Sequence, residues 1–337
     1  CCAACIVSCR LGTRAAAGAR CAAHYHARMG FLAILLALLI EQARPLSFDN
    51  PVHAGLRAWG RTVRRNLDAG ERSHGWIAWL LAVAFPGAVA ALVHHGLWQI
   101  SSFLAFAWTV AVLYVTLGFR QFSHHFSQIR RSLEEGDERS AREQLAAWLR
   151  VDASSLPRAE LLRQVIEHSV LAAHRHVFGV LVCFIVFWVI GLGPAGAVVY
   201  RLAEYLSRNW RTRPDGTPSP PLCDAAVTAW RWIDHVPARA TALGFAVVGN
   251  FEEAVGSWRA DAERFAPGSD GVVLAATSGA MNVRLTPQDP TVEPPDEMDP
   301  GARPEPQLAH LGSAVGLVWR AVVLWMLLLA LLTLARI

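Results

Sequence analysis

The chain contains no lysine. All 31 of its basic residues are arginine, so no side chain can form a Schiff base, carry a nucleotidyl group on an amine or complete a Walker A loop. A nucleotide used by this protein would be held by something other than a standard P-loop. Charge is scarce in general: 17% of residues are charged, against roughly a quarter in ordinary globular domains. Cysteine is scarce where it would matter. Five of the seven precede Met29, leaving Cys183 in an apolar run and Cys223, and two thiols build neither a disulfide framework nor a zinc site. Residues 1–28 are rich in Ala, Arg and Cys, lack Met and have no apolar core long enough for a signal peptide. They read as upstream sequence translated in frame, with Met29 as the start. A native, short, Cys-rich arm is the alternative.

Apolar residues are abundant, at 53% of the chain, and they are concentrated in runs. Residues 30–40 form a short run ending at Glu41. Residues 76–93 and 97–119 are each long enough to span a bilayer as a helix. Little more than HHG separates them, which predicts a transmembrane hairpin over 76–119 within an N-terminal membrane part, 29–119. Pro86 falls inside its first arm, where a membrane helix tolerates a kink. A fourth run covers 177–200 and a fifth 321–335, inside a C-terminal membrane helix over 320–337. Many of the 13 Trp flank these runs, as interfacial Trp does. The expected fold is mainly α: a polytopic α-helical membrane protein with four to five membrane segments and helical cytoplasmic regions.

Three hydrophilic stretches lie between the runs, 41–75, 120–176 and 201–319, and all are rich in Arg, the mark of cytoplasmic loops. Residues 120–176 read as helical. Residues 201–319 form a soluble region with proline-rich linkers at 213–221 and 286–306. Placing all three on one side favours a broken or re-entrant helix over 177–200, with its break at GLGPAG (191–196). A plain span is the alternative, because long loops obey the charge rule poorly.

GLGPAG matches the G-x-G-x-x-G dinucleotide turn letter for letter, but not in context. That turn follows a short strand, opens a βαβ unit and is answered by an acid about 20 residues later. Here the glycines sit in a long apolar stretch, Pro194 occupies an internal position, and Asp215 lies in a linker. A helix break or close-packing glycines account for the motif better. Histidines form a second pattern. His168, His174 and His176 lie near Glu167, and His124 and His125 follow the third run. Folded together they would offer imidazole and carboxylate to a metal. The simpler reading is interfacial histidine among Phe119, Phe122, Phe126 and Phe178, and no metal ligands are assigned.

Several segments together resemble the cobalamin-biosynthesis CbiB/CobD membrane proteins. LEEGDERSAREQL (133–145) resembles their ALxxGDxxxARxxL segment, and RVDASSL (150–156) the R-D-T-x-x-L after it. GPAGAVVYR (193–201) is similar to G-x-P-G-A-x-x-Y-[KR], VPARATAL (236–243) to I-P-A-R-L, and FDNPVHAGLRAWGR (48–61) to an early D-P-x-x-x-H-P-V-x-x-x-G. The matches keep family order from about residue 30 to 285. The overall layout also resembles the AmpE branch, which shares a short first span, an ID-x-VP-x-R segment (Ile233, Asp234, Val236, Pro237, Arg239) and a final C-terminal span.

The resemblance implies a multi-pass protein of the bacterial inner membrane. Its activity would be adenosylcobinamide-phosphate synthesis, the ATP-dependent formation of an amide that attaches aminopropanol phosphate to adenosylcobyric acid. It implies catalytic work for Asp137, Arg142, Asp152, Glu167, Asp234 and Arg239, and cofactor binding at Gly193, Pro194, Gly196, Tyr200 and Arg201. ATP and Mg²⁺ are the cofactors expected if the reaction is retained. Carboxylates would hold the metal, and Arg would pair with phosphate bidentately. Expected partners are the lipid bilayer, a corrinoid substrate and other late cobalamin enzymes, with no nucleic acid. Departures cut against catalysis: EHSVLAAHRHVFG (167–179) lacks the Asn and Asp of the family's E-N-x-x-D-G, AEYLSRNW (203–210) stands in place of N-T-x-D, and WRWID (230–234) keeps only Asp234 of D-D-x-x-N. A diverged ligase, an AmpE-like non-catalytic regulator and a membrane scaffold for corrinoid enzymes are therefore all open.

Overall fold

The computed structural model describes residues 14–44, 50–67, 71–150, 152–210, 220–286 and 303–335. Residues 1–13 and most of both proline-rich linkers, 213–219 and 287–302, fall outside the described residues. Among the described residues every regular element is helical. Chain order is α1 (Arg14–Ala43), α2 (Pro51–Leu67), α3 (Arg72–Ile100), α4 (Ser102–Thr116), α5 (Phe119–Glu134), α6 (Glu138–Leu149) and α7 (Arg158–Ala173). A π-helical turn, His174–Phe178, then leads into α8 (Gly179–Val189). After it come α9 (Ala195–Asn209), α10 (Pro220–Val248), α11 (Phe251–Phe265), α12 (Ser269–Met281) and α13 (Leu308–Ala335).

Among the described residues three helical stretches are long and apolar enough to cross a membrane: Ser73–Ile100, Arg158–Val189 and Leu308–Ala335. The apolar α4 is shorter, at 15 residues. Such helices satisfy all their backbone hydrogen bonds internally, which is what a hydrocarbon layer requires. The protein is a helical membrane protein.

The second of these stretches is the spine. α7, the π turn and α8 form one continuous rod of 32 residues, and the apolar part of that rod is 61% buried, against 22% for the corresponding part of α13. Around the rod, Ile34, Leu113, Phe178, Phe184, Tyr200 and Phe245 pack into one main core. A second cluster joins α3, α9 and the start of α10 through Trp79, Val83, Leu206, Trp210 and Leu222.

One local detail differs from the sequence expectation. HHG (94–96) does not make the hairpin turn; α3 continues through it to Ile100. The polar pair does not force an exit because His94 is buried, with its Nδ1 in a hydrogen bond of 3.2 Å to Thr109 Oγ1 on α4. The turn lies at Ser101, an N-cap whose hydroxyl accepts from the Phe103 amide. The apolar run 177–200 is interrupted at GLGPAG and is not one helix. Its front half continues the rod, and GLGPAG makes the turn into α9, which packs back along α8. Gly191 and Gly193 have φ of 83° and 58°, a left-handed backbone that glycine adopts without steric cost. Gly196 has no room for a Cβ, which would collide with the Cys183 carbonyl of α8.

Candidate functional site

Four helices enclose an open cavity of about 700 Å³. Its walls are apolar: Phe85, Pro86 and Val89 from α3, Trp108, Val112 and Val115 from α4, Val198 and Leu202 from α9. Three cationic or protonatable groups interrupt them, His53 and Arg57 from α2 and Arg201 from α9. α2 is amphipathic, so its two polar residues reach the cavity from a helix that otherwise lies on the outside of the bundle. Trp108 Nε1 donates to the Ala90 carbonyl at 3.2 Å and ties α4 to α3 at the back wall. His53 Nε2 donates to the Val115 carbonyl at 2.9 Å. Burial pushes the His53 imidazole below its ordinary range; that hydrogen bond opposes the shift, and the charges of Arg201 and Arg57 add to it. Mostly apolar walls with a few converging polar groups are what a binding pocket requires. Of these groups, Arg57 and Arg201 are permanent cations, and Arg201 also pairs with Glu204 at 3.2 Å.

Behind Arg201 lies a buried polar network. Its neighbour Tyr200 is fully buried and donates its hydroxyl to Asp234 Oδ1 at 2.8 Å. The same oxygen lies 3.0 Å from His174 Nε2, and His174 Nδ1 lies 2.9 Å from Thr241 Oγ1. Thr241 Oγ1 also lies 2.9 Å from the Pro237 carbonyl. An Asp and a His buried this completely depend on each other, because removing either leaves its partner uncompensated in the core. Asp234 Oδ2 has no hydrogen-bond partner among the described residues.

The π turn organises this region. Its bond from Gly179 N to His174 O is the widened i→i+5 type, which is rare and concentrated at functional sites. The turn sends His174 to Asp234, sends Arg175 to an ion pair with Asp270 of α12, and leaves the His176 carbonyl to accept from Gly118 N at 3.3 Å. Arg175 is also within electrostatic reach of Glu204, Asp234 and Tyr200. Gly179 follows immediately, and a Cβ there would collide with the Tyr200 hydroxyl.

The candidate residues separate into two groups. Tyr200, Arg201 and Asp234 come together as described, with Gly193, Pro194 and Gly196 forming the turn and first residues that start α9. The others are engaged in local structure. Asp137 is the N-cap of α6 and accepts from Ser140 N at 2.9 Å. Arg142 pairs with Glu138 at 2.9 Å and donates to the Leu156 carbonyl. Asp152 accepts from the Ser154 hydroxyl and amide, which hold its carboxyl below the usual range. Glu167 pairs with Arg163 at 2.6 Å. Arg239 is half-buried and donates to His235 Nδ1 and to the His235 carbonyl. The helix carrying Asp137 and Arg142 packs on α5 and α7, while the cavity is built by α2, α3, α4 and α9.

The histidines also separate. His125 and His168 both pack on Trp148, whereas His174 faces Asp234; the side chain of His124 lies outside the described residues. Among the described residues no three His, Cys, Asp or Glu side chains gather as a metal site. Arg57 and Arg201 offer a phosphate two guanidinium groups, whereas the described carboxylates do not gather into a Mg²⁺ cradle. His53, Arg57, Arg175, Thr241 and Asp270 were not identified as site residues from sequence. Only His53 and Arg57 carried a signal, lying inside the FDNPVHAGLRAWGR segment.

Comparison with known proteins agrees with this geometry. The CobD/CbiB protein family matches residues 30–318, a range that contains the whole cavity and the whole buried network. The cobalamin biosynthesis protein CobD of Stutzerimonas stutzeri (strain A1501) is 30% identical over 322 residues, covering 89% of this chain and 96% of that protein. A protein of the same name from Chromobacterium violaceum is 33% identical over 220 residues, 64% of this chain and 67% of that one. No solved structure matches. With the family match running from α1 into α13 and a relative aligned along nearly its whole length, this chain belongs to the CobD/CbiB family.

Proposed function

We propose that the protein is a cobalamin-biosynthesis enzyme of the bacterial inner membrane that joins an aminopropanol phosphate arm to a corrinoid carboxylate through an amide bond. The observation that carries this reading is the cavity. Two segments far apart in sequence, 48–61 and 193–201, each resembling a family motif, meet there and contribute His53, Arg57 and Arg201. Guanidinium groups bind phosphate through charge-assisted hydrogen bonds, and the apolar walls strengthen them by excluding water. In this reading Arg57 and Arg201 hold the phosphate end of a substrate and His53 adds a donor beside them. Tyr200, anchored on Asp234, fixes the rotation of α9 and so the position of Arg201. ATP, in the activity the resemblance implies, supplies the activation of the carboxylate. Other late cobalamin enzymes are the natural partners for a product that remains at the membrane.

Complementation tests the proposal. A strain lacking its own CobD-type protein, supplied with cobyric acid, should regain cobalamin-dependent growth when this chain is expressed. It should lose that growth when Arg201→Gln is expressed at the same level. Failure of rescue by well-expressed, membrane-inserted protein would refute the enzymatic reading.

A further inference from the structure

The charges of α10 place it in a soluble region, yet its packing does not. It lies against α3 and α13, both long enough to cross a membrane, and against α8. Leu222, Ala225 and Ala226 share a buried cluster with Ala78, Trp79 and Ala82 of α3. Farther along, Gly244 admits the Trp325 indole of α13 against its backbone, and Phe245 meets Phe178 edge-on with ring centres 5.5 Å apart.

The outer face of α10 is apolar as well. Trp232, Val236, Leu243 and Val247 are 78%, 59%, 49% and 53% exposed, and at about 100° per residue they fall within an arc of roughly 60°. A connected apolar face of this kind marks an interaction surface. Its neighbours indicate what covers it. α3 exposes Ile77, Leu81 and Leu92, and α13 exposes Val323, Leu327 and Leu331; on membrane-crossing helices such faces meet lipid. α10 packs directly on both, so its stripe continues theirs. Its charges fit the same setting. Arg231 is exposed beside Trp232, and Arg239 lies at the edge of the apolar arc, extended over His235. Long arginine stems lie along apolar surface while their heads reach polar groups, and Trp with Arg on one helix is the pattern of an interfacial segment.

We infer that α10 is a membrane-interface helix, with Trp232, Val236, Leu243 and Val247 seated in the acyl boundary and Arg231 and Arg239 reaching lipid phosphates. This goes beyond the ligase reading and does not depend on it. It also gives Arg239 work away from the cavity, and it sets Asp234, on the inward face of the same helix, behind a lipid-covered surface.

Photocrosslinking of the full-length protein, reconstituted in mixed phosphatidylcholine and phosphatidylglycerol vesicles, tests it. p-Benzoylphenylalanine is placed at 232 or 243, with position 92 of α3 as a lipid-facing control and position 252 of α11 as an exposed polar control. Lipid adducts at 232 and 243 should match position 92 and exceed position 252 about tenfold by mass spectrometry. Adducts at the level of position 252 while position 92 labels, or cross-links to a second protein chain, would overturn the inference. The arginine contact predicts that position 243 prefers phosphatidylglycerol by about twofold to fivefold, a preference removed by Arg239→Gln. Equal yields from the two lipids before substitution would overturn that part.

Discussion

The segment from α5 to α7 and the junction of α9 with α10 respond differently to the same kind of sequence motif. In the first, acidic and basic residues are satisfied within a few positions: Asp137 by Ser140, Asp152 by Ser154, Arg142 by Glu138, Glu167 by Arg163. In the second, Tyr200 finds Asp234 and Asp234 finds His174, each across a long stretch of chain and out of solvent. A motif of the first kind is explained by helix grammar, since Gly-Asp before a helix is a cap. A buried convergence has no such local reason to exist, and it lies beside the cavity. On the proposed reading, the second group is the half of the resemblance that carries function.

The most severe test of this contrast is Asp234→Ala. It strands His174 and the Tyr200 hydroxyl in the core and should cost about 3–5 kcal/mol, read as a lowered midpoint in denaturant unfolding in detergent. Arg201→Gln should act on function instead. Losing a charged hydrogen bond to phosphate is worth about 1.5–3 kcal/mol, a rise in KM of roughly 10- to 100-fold. The fold should hardly change, because Glu204 keeps Arg208 at 2.8 Å. Tyr200→Phe removes one buried hydrogen bond and should cost about 1–2 kcal/mol, with activity falling further than stability alone accounts for. Asp137→Ala should cost about 1 kcal/mol through the lost cap and leave complementation intact, with Asp137→Ser restoring the stability. A loss of growth in Asp137→Ser would break the contrast.

The smallest effect concerns pH. His53 has its pKa lowered on folding from 6.5, so below about that pH the unfolded chain binds more protons than the folded one. Its contribution to stability is complete above 6.5 and declines as the pH falls through the folded value. Unfolding midpoints measured from pH 7.5 down to about 5 should fall less steeply in His53→Gln.

What could be read from sequence followed the range of the interactions. The apolar runs announced the helices, and the glycines of GLGPAG announced a break, because both signals are local. The turn at HHG was misplaced because its histidines are answered by Thr109 on another helix, which no neighbouring residue reveals. Tyr200, Asp234 and Arg201 were legible only through resemblance, and their association was not. Arg175 gave no signal, since its meaning depends on Asp270, far along the chain. The outer face of α10 gave no signal for a related reason: four exposed apolar residues diluted among charges do not form a run.

The π turn bears on what this chain can and cannot lose. A π turn holds one residue more than the α turn it replaces, so the rod carries a built-in phase slip between α7 and α8. Deleting a single residue from His174–Phe178 would let an uninterrupted α-helix form with α7 and α8 in nearly their present phase. The cost would fall on the turn itself, where His174 reaches Asp234 and Arg175 reaches Asp270 from successive positions. A deletion there should therefore break those two contacts before it disturbs the packing of Gly179 on Tyr200.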